Sequence, residues 1–352
     1  MASILSRRGG LAVAALMVFS SACSGTPASA PAAGVTPSPT APTAAPSGTI
    51  VKFCTAITAG AGPLGIVTGP DGNLWFTEYD TSSIGRITPS GTVTEFKTGI
   101  TPNSFPSFIA AGADGNLWFV ESSGARIGRI TPSGTVTEFS AGISGAIKDI
   151  AAGPDGNLWF TEGSANRIGR ITPSGAVTEF SNGITAGGSP YRIARGPDGN
   201  LWFTEYSVNK IGRITPAGSV TEFVADPTVG GGGNSRATGI TAGSDGNLWF
   251  TTGYSAAIGR MTPAGVSTMF RGGDIPNAGS IRAGHDGNMW LVGNSGATPA
   301  YDEIGRITPA GTYTKFTNGL GSGDELSDIT NGPDGNLWFT ENGTDCVARI
   351  AP

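Results

Sequence analysis

Chemistry in this chain would have to come from carboxylates, because other reactive groups are scarce. Glutamate recurs as Glu78, Glu121, Glu162, Glu205 and Glu341. Arginine recurs in step with it, as Arg86, Arg129, Arg170, Arg213, Arg260, Arg306 and Arg349. A ring of acids at one end of a closed fold could hold a hard cation through oxygen ligands. The accompanying arginines point instead to a repeated structural contact, Glu to Arg or Glu to backbone. His285 is the one histidine. The three cysteines, Cys23, Cys54 and Cys346, have no metal-ligand spacing, and no G-x-S-x-G elbow is present. No Asp cluster matches an EF-hand loop.

The element that positions these groups is a stretch written seven times, first as Gly69-Pro70-Asp71-Gly72-Asn73-Leu74-Trp75-Phe76-Thr77-Glu78. Its copies place Trp at 75, 118, 159, 202, 249, 290 and 338, which accounts for all seven tryptophans. A period near 44 residues with strand-like segments in each unit is the signature of a β-propeller, one four-stranded blade per repeat. The expected fold is therefore all-β, a seven-bladed propeller over residues 48–352.

Within blade 1, Pro63 to Thr68 reads as strand A, lining the central channel. Pro70-Asp71-Gly72-Asn73 is a hairpin turn whose Asp-Gly supplies the positive-φ position. Leu74 to Glu78 is strand B, Ile84 to Ile87 strand C, and Thr92 to Phe96 the outer strand D. Strand B is apolar at consecutive positions, as a strand covered on both faces requires. Tryptophan could also serve as a sugar-stacking platform, but one equivalent position in seven repeats points to packing. The last repeat ends after its C strand at Ile350. The missing D strand is at the other end of the chain, where Pro46 to Phe53 matches Pro89 to Phe96. The N-terminal strand should thus close the ring and hide the sheet edges.

Closure predicts a disulfide. Cys54 follows the closing D strand and Cys346 precedes the C strand it should pair with. In blade 1 the equivalent positions, Lys97 and Ser83, fall opposite each other or one place apart. Such a bridge suits an oxidising compartment, and the very long loop it closes suggests a stabilisation on the order of 5 kcal/mol.

Residues 1–22 read as an export signal, with a basic Arg7-Arg8, an apolar core from Leu11 to Phe19, and small residues before Cys23. Nine apolar residues are too few for a permanent span. Ser20-Ser21-Ala22-Cys23 resembles a bacterial lipobox, which implies lipidation at Cys23 and a membrane contact through the lipid alone; simple cleavage is the alternative. Residues 23–47 are Ala, Pro, Ser and Thr and read as an extended tether. The expected location is extracytoplasmic. Removing residues 1–22 leaves 26 acids against 19 basic residues. With no basic patch, nucleic acid is excluded as a partner, and a monomer is expected.

Blades 5 and 6 break the pattern. Thr252 and Gly293 replace the strand-B Glu, the connection from Asp226 to Thr238 is long, and the loop from Asn294 to Glu303 is extended. D–A and B–C connections emerge on one face of a propeller, where ligands bind. The asymmetry suggests a groove lined by Arg236, Tyr254, Arg282, Tyr301, Asp302 and Glu303 for a small-molecule or cell-surface ligand, with neutral loop drift as the alternative.

Repeats of the form G-P-D-G-N-L-W-F-T-E followed by I-G-R-I-T-P-S-G-x-V-T-E-F are similar to the virginiamycin B lyase family, over residues 48–352. The resemblance implies a Mg²⁺-dependent lyase that linearises a cyclic depsipeptide by elimination at its ester, with a general base taking the α-proton. The family's catalytic histidines fall at inner-strand positions that are Gly279 and Ser327 here. Glu325 matches the family's acid two residues before the second of these, and Glu341 corresponds to its last-blade acid to within one residue. The acids are carried over and the histidines are not. Two readings follow: a binding propeller that has no lyase base, and a genuine lyase or related metal-dependent propeller enzyme of gluconolactonase-like type.

Overall fold

A computed structural model of the chain describes residues 47–229, 235–253, 256–272, 275–294 and 302–352. These residues form seven separate four-stranded antiparallel sheets and no helix. In blade 1 the strands are A Pro63–Thr68, B Leu74–Glu78, C Ser83–Ile87 and D Val93–Phe96. The seventh sheet takes its outer strand from Ile50–Phe53, which pairs antiparallel with Cys346–Ile350, Ile50 opposite Ile350 and Phe53 opposite Val347. The disulfide joins Cys54 to Cys346 across 292 residues. Ring closure by the N-terminal strand and the Cys54–Cys346 bridge are thus both as the sequence predicts.

The repeated residues explain one another. All seven tryptophans are fully buried, and truncating such a side chain costs about 3–5 kcal/mol. Burial leaves the indole N–H needing an acceptor, and the turn aspartate supplies it, Trp75 Nε1 donating to Asp71 Oδ1 at 3.0 Å. Trp75 stacks on Phe96 of strand D with centroids 5.3 Å apart, and the Arg86 guanidinium covers both rings at 5.5 and 5.4 Å. Arg86 Nη1 then donates to Pro132 O of the next blade at 3.0 Å. In blade 7 the closing strand supplies the same part, Phe53 stacking on Trp338 beneath Arg349.

This corrects the expected Glu–Arg contact. Register sets Trp75 opposite Arg86 and Glu78 opposite Ser83. The acid and the arginine are therefore three residues, about 10 Å, apart along the strands. The arginine belongs to the Asp-Gly end of the blade, and the glutamate to the loop face. Gly85 is needed for a steric reason: a Cβ there would lie 2.1 Å from Phe76 Cζ.

Candidate functional site

The inner strands do not pair evenly with strand B. In blade 1 Pro63 is opposite Glu78, but the next pair is Ile66 with Phe76, so Leu64-Gly65 face Thr77 alone. This is a β-bulge, a device that re-aims side chains at barrel and channel rims. The strand-B threonine holds it. Thr77 Oγ1 accepts from Gly65 N at 2.9 Å and donates to Ser107 O of the next blade at 2.7 Å. Thr161, Thr204 and Thr340 repeat the arrangement with Asp149, Arg192 and Asp328. Sequence reasoning gave this threonine no role, although its place in five L-W-F-T copies was a signal.

The bulged positions carry Gly279 and Ser327, where the resemblance leads one to expect the family's histidines. Gly279 sits at the bulge between Ala278 and Ser280 in blade 6 and is exposed. A Cβ at Gly279 would meet nothing within 4 Å. Ser327 lies in the corresponding bulge of blade 7, its Oγ donating to Glu325 O at 3.2 Å. Glu325 is exposed and has a positive φ of 53°, and its N–H donates to Asp302 Oδ2 at 3.0 Å. Beneath this rim lies a polar channel wall. Asp149 is paired with Arg192 at 3.7 Å. Burial pushes the Asp149 carboxyl up, partly offset by Arg192 and Arg282. Ser280 Oγ donates to Asp328 Oδ1 at 2.6 Å, and Arg192 lies 3.5 Å from the centre of the Phe108 ring.

Of the residues expected to line a groove, Asp302 is brought to the blade-7 rim through Glu325. Glu303 is buried and accepts from Tyr313 OH at 2.8 Å. Arg236 lies over Tyr206 at 5.5 Å, and Arg282 lines the channel beside Asp149 and Arg192. Tyr254 and Tyr301 lie outside the described residues, as does Cys23.

Glu341 is fully buried at the end of strand B in blade 7. Its Oε2 lies 2.9 Å from Lys52 Nζ, which also lies 2.7 Å from Asp324 Oδ2. Burial pushes the Glu341 carboxyl up, Lys52 pulls it back, and Asp324 adds repulsion. The donor set here does not fit a magnesium ion. A lysine ammonium already neutralises the buried carboxylates, and among the described residues no three His, Cys, Asp or Glu side chains converge as metal ligands.

Blades 1 to 4 carry a different arrangement at the outer loop face. The strand-B glutamate faces a strand-D glutamate: Glu78 with Glu95, Glu121 with Glu138, Glu162 with Glu179, Glu205 with Glu222. Burial first, then the second carboxylate, pushes Glu78, Glu121 and Glu205 up to about 8. For Glu162, pushed up to about 7, burial is again the largest cause.

Comparison with known proteins follows the same lines. The profile of the virginiamycin B lyase family matches residues 43–223 and 230–352. The solved virginiamycin B lyase from Staphylococcus aureus is 33% identical with a TM-score of 0.76, over 86% of this chain and 99% of that one. A streptogramin B lyase is 32% identical with a TM-score of 0.75, over 86% and 97%. A catalytically inactive histidine-to-alanine variant of the S. aureus enzyme, solved with quinupristin, is 33% identical with a TM-score of 0.76, over 86% and 99%. No curated protein sequence matches the chain significantly. By its profile, by its identity to solved relatives and by the blade geometry described above, the chain belongs to the virginiamycin B lyase family.

Proposed function

We propose that this protein is an exported binding propeller of the family, one that engages a small ligand or cell-surface partner on its loop face without opening it. The observation that carries this reading is the channel rim. Ester elimination needs a base that is free at neutral pH and strong enough to take a weakly acidic α-proton, and histidine meets both demands. Gly279 and Ser327 offer no titrating group there, and Glu341 is engaged by Lys52. Binding does not need the base. The histidine-to-alanine relative is described as catalytically inactive and yet is seen with quinupristin. Export is supported by the disulfide, and a lipid anchor at Cys23 would hold the propeller at the membrane by its tether.

The competing reading is a working lyase, favoured by Glu325 at the rim. Hydrogen exchange of the mature protein with and without quinupristin distinguishes where a ligand sits. Protection should appear at the loop-face ends of blades 5 to 7, including 277–282 and 324–328. Protection confined to the Asp-Gly turn face would refute the proposed site.

A further inference from the structure

In blades 1 to 5 and in blade 7 the strand-C arginine donates to a proline carbonyl of the following blade, at distances from 2.8 to 3.2 Å. Arg126 and Arg167 meet strand-D glutamates, and Arg271 meets Asp226. Two arginines of the inner strands differ from these. Arg192 of blade 4 and Arg282 of blade 6 line one cavity of the central channel, together with Asp149, Gly239 and Ser280.

Arg192 is 7% exposed, yet among the described residues its guanidinium forms no hydrogen bond, and its buried Nε has no partner. It lies 3.5 Å from the centre of the Phe108 ring, and its Nη1 is 3.7 Å from Asp149 Oδ1, beyond hydrogen-bond reach. Arg282 is half-buried and forms neither a hydrogen bond nor an ion pair among the described residues. The nearby carboxylates are engaged in holding blade to blade. Asp149 Oδ2 accepts from Ile193 N at 2.9 Å, and Asp328 accepts from Ser280 Oγ at 2.6 Å and from Ile66 N at 3.1 Å. A guanidinium carries five N–H donors and no acceptor, and a buried donor left unmet is costly. The cavity wall thus presents more donors than acceptors.

We propose that this cavity binds one small monovalent anion of halide size, held by Arg192 and Arg282. Its volume of about 10 Å³ has room for one water-sized group, which admits chloride or bromide and excludes sulfate and phosphate. The lining sets two guanidiniums against the one carboxylate of Asp149, and Ile240 and Ile281 complete it with apolar wall. Little water between such walls strengthens the attraction of an anion to the paired cations. Guanidinium is also more weakly hydrated than ammonium, so it gives up its water to an anion more readily. The site lies in the channel wall below Gly279 and Ser327 and does not depend on what the loop face binds.

The test uses the intact mature protein in sodium chloride, sodium bromide or sodium gluconate of equal ionic strength. Chloride at about 0.2 M in place of gluconate should raise Tm by roughly 2–4 °C. The chloride NMR resonance should broaden in the presence of the protein and sharpen when bromide competes. R282M should abolish both effects. R195M, at an exposed position on the opposite end of the blade-4 inner strand, should leave both unchanged. In crystals of the unaltered protein soaked in sodium bromide, anomalous scattering should place one bromide beside Arg192 and Arg282, and no peak there would overturn the proposal whatever the variants do. Equal Tm in chloride and gluconate would also overturn it and leave water as the acceptor. So would a chloride response that survives R282M, by placing the ion elsewhere.

Discussion

Replacing Lys52 with Met keeps the stem of the side chain and removes the charge that two buried carboxylates share. Lys52 is 27% exposed, while the side chains of Asp324 and Glu341 are 5% and 0% exposed. Burial by itself would lower the Lys52 pKa, but its hydrogen bonds to Asp324 and Glu341 outweigh that and hold it above the ordinary lysine value. Breaking a buried pair by removing one partner costs about 3–5 kcal/mol. Partial exposure of the lysine places this case near 3 kcal/mol. The deficit should depend on pH. Glu341 already has a folded-state pKa raised above the ordinary carboxylate value, and loss of Lys52 raises it further. Below the ordinary pKa the carboxyl is protonated in both states and the deficit is small. As pH rises through the raised folded-state pKa, the uncompensated charge appears and stability is lost. Urea denaturation of oxidised K52M and wild-type protein at about pH 5 and pH 8 measures this. A deficit below about 1 kcal/mol at pH 8, or one equal at the two pH values, would refute the reasoning.

Other consequences are as direct. Reduction of the Cys54–Cys346 bridge, or C54S, should destabilise the ring by up to about 5 kcal/mol, with hydrogen exchange rising first at Ile50–Phe53 and Val347–Ile350; unchanged exchange there would count against the latch. The glutamates pushed up to about 7 or 8 in blades 1 to 4 should lower Tm as pH rises from about 6 to 9, since stability present with the proton bound is lost through the folded-state pKa. E205Q should flatten that fall, and an unaltered slope would show that Glu205 is not its source. R129M removes the guanidinium from Trp118 and Phe139 and a hydrogen bond to Pro173 O; a loss of about 1–3 kcal/mol by thermal unfolding is expected.

The blade was legible because each of its parts has a local cause. The Asp-Gly turn, the consecutive Leu-Trp-Phe run and the second turn at Thr-Pro-Ser-Gly bracket strands within one residue of those observed, Ser83 and Val93 being the shifted ends. The disulfide was legible by transferring one blade's register to another. Glu and Arg recurred together in the repeat, yet register sends them to opposite ends of the blade, where Arg86 serves Trp75 and Glu78 serves the loop face. The pairing of Glu78 with Glu95 joins strands B and D across strand C, a contact that no spacing along the chain reveals. The bulge is likewise a tertiary effect, since Thr77 holds it by reaching the next blade. At the candidate site, the resemblance to the family pointed to Gly279, Ser327 and Glu325, which the structure places at the bulged inner strands of blades 6 and 7 and beside them. It did not indicate that Lys52, a residue of the closing strand, would be the partner of Glu341.

The central claim, binding without ring opening, is tested most directly by mass analysis of a type B streptogramin incubated with the mature protein, with Mg²⁺ and with EDTA. The account predicts that the cyclic depsipeptide stays intact in both, and that G279H with S327H, placed where a Cβ at 279 meets open space, is the change that could introduce the missing base. Linearised product from the wild-type protein at a rate comparable to a lyase, lost on EDTA or on E325Q, would contradict it.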